Sequence, residues 1–86
     1  MNKNDQLFIQ LLYIFQASGM QALGKIKNPI SNKIEVSVEQ AKQSIEMIEM
    51  IKDKTKNNLS DNETRMIEAA LSELRLNYID VTSKSN

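Results

Sequence analysis

Residues Gln6–Gly24, QLFIQLLYIFQASGMQALG, pass without a formal charge through a chain in which 26% of residues are charged. At 100° per residue Phe8, Leu12, Phe15, Ala22 and Ile26 share one side and form the core stripe, with Gly19 and Leu23 near them. Leu7, Leu11 and Ile14 widen that face, and Ile9, Tyr13 and Met20 lie toward the opposite side. Only a narrow stripe of Gln6, Gln10, Ala17 and Gln21 is left for water. A helix apolar almost all round is central or interfacial. The stretch therefore predicts a helix over about residues 5–23, with Asn4 or Asp5 as N-cap and Gly24 in the left-handed position that ends it.

About 20 apolar residues would span a bilayer. The glutamines within the stretch, together with Ser18, argue instead for a helix buried in protein. Asp5 spoils the basic start of a signal peptide, and no small-x-small cleavage site follows. Neither a membrane partner nor secretion is expected.

Outward from this helix, Asn28-Pro29 and Ser31-Asn32 carry turn chemistry, so residues 25–36 read as an irregular loop. Ile26, Ile30, Ile34 and Val36 would allow a short extended piece, but Pro29 disfavours a central strand. Ser37 and Gln40 then form a capping box that opens a second helix, the glutamine reaching back to the serine. Ala41, Ile45, Ile48 and Thr55 line one face, joined by Met47, Met50 and Ile51. This helix is expected over 37–56, with Asn57 taking a left-handed turn. Ser60 and Glu63 repeat the box for a third helix over 60–81, with a heptad-like seam of Ile67, Leu71, Leu74 and Tyr78 and an Asp61–Arg65 pair. The connection is short enough to make the second and third helices an antiparallel hairpin. Residues 82–86 are polar enough to fray.

Composition narrows the function. The chain has 86 residues, 11 basic against 11 acidic, no histidine and no cysteine. The charge balance lacks the basic footprint of a nucleic-acid binder. Without His or Cys the ordinary zinc, haem and iron–sulfur ligands and any disulfide are missing. Glu46, Glu49 and Asp53 share one side of the second helix, but Lys42 and Lys52 are spaced to pair with Glu46 and Glu49, which reads as a solvated charged face. The turn from Lys54 to Ser60 is rich in donors and could hold an anion. Capping by Ser60 and Glu63 competes for the same N–H groups. The internal methionines, Met20, Met47, Met50 and Met66, could line an adaptable recognition groove but more often fill a core, and Arg75 could be a binding anchor but better suits a carboxylate partner on the facing helix such as Glu46, Glu49 or Asp53.

Taken together the residues resemble a known family, the small bacterial proteins grouped as domain of unknown function 1844. The resemblance lies in the first helix ending Ala22-Leu23-Gly24, the Pro29 loop, Ala41-Lys42 with Ile45-Glu46, the run Lys54-Thr55-Lys56-Asn57-Asn58-Leu59, then Glu63, Leu74-Arg75 and Tyr78. The family pattern usually has Asp where Glu46 stands and Gly where Asn57 stands. The resemblance implies a bacterial, cytoplasmic, helical protein and no particular reaction.

The expectation is thus a single all-α domain of three helices, completed as a dimeric bundle, with no cofactor, no metal and no catalytic residue. Its expected partners are a second copy and, beyond it, another protein. Phe8, Leu11, Leu12, Phe15, Gly19 and Leu23 are the expected dimer interface, and Phe15→Glu is expected to break it. A competing expectation is a small-molecule or anion sensor between the 54–60 turn and the 25–36 loop, using Lys54, Thr55, Asn58 and Arg75.

Overall fold

A computed structural model describes residues 2–84, and within them the chain is three helices: α1 (Lys3–Ala22), α2 (Val38–Lys54) and α3 (Asp61–Lys84). The helix α1 starts earlier than the sequence suggested. Asn2, Asn4 and Asp5 can all cap, and it is Asn2 whose side chain accepts from the Asp5 N–H at 2.8 Å. The other end follows expectation. Gly24 takes φ +76°, its N–H donates to the Gln21 carbonyl, and the Lys25 N–H reaches back to Met20, a Schellman closure.

Asn57 likewise takes the left-handed turn after α2, with φ 70°. The two capping boxes differ. Ser60 and Glu63 are reciprocal, Ser60 N–H donating to Glu63 Oε1 at 2.9 Å and Glu63 N–H to Ser60 Oγ at 3.2 Å. At α2 only half of the box forms. Gln40 N–H donates to Ser37 Oγ, but Ser37 N–H is taken by the Ala22 carbonyl at 2.8 Å, which leaves the glutamine nothing to reach for. That bond accompanies an isolated antiparallel bridge between Leu23 and Val36, the one extended contact of the 25–36 loop among the described residues.

The helix α3 runs on through Thr82–Lys84, where fraying was expected. The hydroxyls of Thr82 and Ser83 bond back to the carbonyls of Tyr78 and Ile79, and Val81 packs on the core. The rest of the expected frayed tail, residues 85–86, lies outside the described residues.

Ser37 beside Ala22, and Ser44 beside Gly19, set α2 antiparallel to α1. Lys52 opposite Glu68 and Glu49 opposite Arg75 set α3 antiparallel to α2, the expected hairpin. Hence α1 and α3 run parallel, joined by Gln16 to Glu73 and Lys25 to Asp80. The core between them is Leu12, Ala22 and Leu23 from α1 and its cap, Ala41, Ile45, Ile48 and Ile51 from α2, and Ile67, Ala70, Leu71 and Leu74 from α3. Its backbone spans 40 × 27 × 16 Å, a slab with little depth. Among the described residues, no helix is long and apolar enough to cross a membrane.

At the far end of α3 the amines of Lys25 and Lys84 both donate to Asp80 Oδ2, at 3.2 and 3.3 Å. These bonds, that from Lys25 foremost, hold the Asp80 carboxyl below its ordinary 3.8. A depressed folded value means that the pair supports the fold above the unfolded pKa and loses that support as pH falls through the folded one. An NMR titration should find Asp80 titrating below the free carboxylate range, and Lys25→Ala should move it back up. An unchanged midpoint in the variant would show the bond to be absent in solution.

Candidate functional site

The outer surface of the slab carries several exposed large apolar side chains. On α1 Leu7, Leu11 and Ile14 are exposed, 49%, 40% and 60% respectively, and Tyr13 stands out toward another side. Leu7, Leu11, Ile14 and Ser18 are spaced four, three and four, one continuous stripe along the helix. Beside it lies the flank of α2 with Met47 and Met50, both exposed. Between the two helices an open groove of about 740 Å³ is lined by Phe15 and Ser18 from α1 and by Gln40, Gln43, Ser44, Glu46 and Met47 from α2.

The interface expected from the sequence is therefore split. Leu12, Gly19 and Leu23 are buried within the chain, facing α2 and α3. Phe8 and Phe15 are half-buried against the same core, and only Leu11 lies on the outer stripe. The side read as the core stripe is the side turned inward, with Leu12, Ala22 and Leu23 in the core and Phe8 and Phe15 against it, and the residues that widen that face, Leu7, Leu11 and Ile14, are left outside. Here Gly19, lacking a side chain, allows the closest approach and turns its own side inward. Phe15→Glu would consequently disturb the fold as well as any assembly, and Leu11 and Ile14 are the cleaner probes.

The expected anion contacts are not brought together. The Thr55 hydroxyl donates to the Ile51 carbonyl at 2.6 Å and Asn58 Nδ2 donates to Lys56, so both are occupied by the turn itself. Lys54 is exposed at the end of α2. Arg75 pairs with Glu49, one of the three carboxylates proposed for it, about 20 Å along α3 from its first turn at 1.5 Å per residue. The 54–60 turn and the 25–36 loop sit at opposite ends of α2, about 25 Å apart for a helix of 17 residues. A single small-molecule site cannot use both.

Charge pairing on α2 also differs in detail. Lys52 turns to Glu68 on α3 at 3.9 Å, leaving Glu49 to Arg75. The Asp61–Arg65 pair expected from the sequence does not close to ion-pair distance, because two solvated side chains have little to gain from it. Among the described residues, no three His, Cys, Asp or Glu side chains converge so as to hold a metal ion.

A family model described as domain of unknown function DUF1844 matches residues 5–80, which span all three helices. The chain belongs to the DUF1844 family. No curated protein and no solved structure matches this DUF1844 chain. The match runs from the first turn of α1 to Asp80, so the outer stripe, the groove and the 25–36 loop all lie inside it.

Proposed function

We propose that this DUF1844 protein is a non-catalytic helical interaction module that works as a homodimer, its copies joined through the outer stripe of α1 and the adjoining flank of α2. The observation that supports the reading is the exposure of Leu7, Leu11 and Ile14 along a helix that carries no charge from Gln6 to Ala22. A second copy suits that surface. The stripe is uncharged, so it meets its own image without like-charge repulsion, and the chain's formal net charge of +0 adds none at longer range. A two-fold axis then covers both stripes at once.

The dimensions allow it. A helix of 20 residues is about 30 Å long, and a neighbour packed about 10 Å away widens the strip to a size comparable with the ~800 Å² that each partner buries in a standard interface. Placement in the bacterial cytoplasm belongs to the same proposal and follows the family resemblance and the lack of cysteine.

Light scattering coupled to size exclusion, across a dilution series, tests it. The wild type should give the dimer mass. Leu11→Glu or Ile14→Glu should give the monomer mass with unchanged helicity, because an unpaired charge left in a closed interface costs ~3 kcal/mol, about a hundredfold in dissociation constant. A wild type that is monomeric at every concentration would end the homodimer reading and leave the stripe to a different protein.

A further inference from the structure

The loop between α1 and α2 holds Ile30 almost wholly in water, 95% exposed. It does so with a fixed shape. Asn28 Oδ1 accepts from the N–H groups of Ile30 and Ser31 at 2.8 and 3.3 Å, and Asn28 Nδ2 donates to Glu35. The Asn28 N–H donates to the Lys33 carbonyl at 2.8 Å and the Asn32 N–H to the Asn28 carbonyl at 2.7 Å, with Asn32 in the left-handed region at φ 58°. Pro29 fixes one more dihedral. The turn is thus ordered by its own polar groups, and the side chain at its tip takes no part. A side chain presented in this way has already met much of the ordering cost of binding, the property of an anchor residue.

The groove between α1 and α2 lies toward the same end of the molecule, since its lining residues Ser18, Gln40 and Gln43 flank the helix ends that the loop joins. The chain's own Ile30 does not fill it. Knob and groove are also opposite in charge. Lys27 and Lys33 flank the tip and Glu46 lines the groove, and none of the three is in an ion pair among the described residues.

We propose that the occupant of the groove is Ile30 of a second copy, inserted between Phe15 and Met47 with Lys27 and Lys33 facing Glu46, and reciprocally in the other groove. A two-fold axis makes both insertions from one contact. The proposal rests on the homodimer reading and adds the contact that fixes its register.

Because the chain has no cysteine, introduced thiols report on this contact alone. A mixture of the Ile30→Cys and Met47→Cys chains, oxidised at a concentration where light scattering shows the dimer, should give a disulfide-linked heterodimer in clear excess over a control mixture of Ile30→Cys with Leu76→Cys. Ile30→Asp should raise the dimer dissociation constant about tenfold or more, and its fold should persist because the side chain packs on nothing. Glu46→Lys should weaken the dimer, and Lys27→Glu with Lys33→Glu should partly restore it. A dimer that persists with no excess cross-link and no response to Ile30→Asp overturns the insertion while the homodimer stands. A monomeric wild type overturns both. Vesicles of anionic lipid that bind the wild type and lose the Ile30→Asp variant, with the dimer unaffected, would overturn it in favour of a lipid surface as the partner of the loop.

Discussion

Replacing Leu74 with alanine is expected to remove about 2–5 kcal/mol of stability, the range for emptying a fully buried leucine position. Leu74 is wholly buried, with α1 against it at Gly19. Losing its terminal carbons removes apolar burial and opens a space between two helices that cannot close without moving one of them. A chain of 86 residues has about 4–13 kcal/mol in total at the usual stability per residue, so the loss is about a sixth of what holds it at the least and the whole of it at the most. The melting midpoint should fall by roughly 8–40 °C, at about 4–8 °C per kcal/mol for a domain of this size. Circular dichroism on heating and in urea reads it, at one fixed protomer concentration because self-association adds to apparent stability. The control is two residues away on the same helix. Leu76 is 71% exposed, and Leu76→Ala should change stability by no more than about 0.5 kcal/mol. Similar losses at both positions would mean that the outer side of α3 is buried in solution.

The contrast between Leu74 and Leu76 was legible in the sequence, because α3 places Ile67, Leu71, Leu74 and Tyr78 on one seam and leaves Leu76 off it. So were the punctuation marks. Gly24 and Asn57 end their helices through left-handed backbone, and Ser60 with Glu63 closes both arms of a capping box, all from local chemistry that needs no neighbour. Expectation failed where a neighbour decided. Gln40 was expected to reach back to Ser37, but the Ala22 carbonyl, distant in sequence, takes that N–H first. Thr82 and Ser83 looked polar enough to fray, yet their hydroxyls satisfy carbonyls inside the helix, and Val81 beside them holds the end to the core. Leu12, Gly19 and Leu23 were read both as part of the core stripe and as dimer interface, and the structure buries them within the chain. Hydrophobic spacing placed the core stripe of α1 on the side that packs, but it did not separate the residues used up by α2 and α3 from those a partner could still reach. That separation came from close approach to the two neighbours. The presentation of Ile30 was legible only in part: Asn28-Pro29 announces a turn, while the direction in which its tip points depends on how the Leu23–Val36 bridge closes the loop.

Gly19→Leu is expected to cost about 3 kcal/mol or more, at the upper end of overpacking effects, although leucine forms helix better than glycine. A Cβ at Gly19 would stand 2.6 Å from Leu74 Cδ2 and 3.3 Å from both Leu74 Cδ1 and Ser44 Cβ. The end of an exposed leucine could swing away, but Leu74 is enclosed on all sides, so α1 itself must move. Glycine inside a helix sacrifices about 1 kcal/mol relative to alanine; here that loss is the cost of bringing α1 close to both α2 and α3. The two positions should therefore be coupled. In the wild type Gly19→Ala sets its propensity gain against the clash and should destabilise. In a Leu74→Ala background the clash with Leu74 is gone and only the 3.3 Å approach to Ser44 Cβ remains, so the same substitution should stabilise, by less than the full propensity gain of about 1 kcal/mol. The sign reversal is the decisive reading, because a general effect of glycine on helix formation would be favourable in both backgrounds. Urea midpoints for the four proteins of the cycle, at a shared denaturant slope, supply it. Additive values would show that Gly19 and Leu74 do not touch in solution, and the inward orientation of α1, on which the outer stripe of Leu7, Leu11 and Ile14 depends, would have to be revised with them.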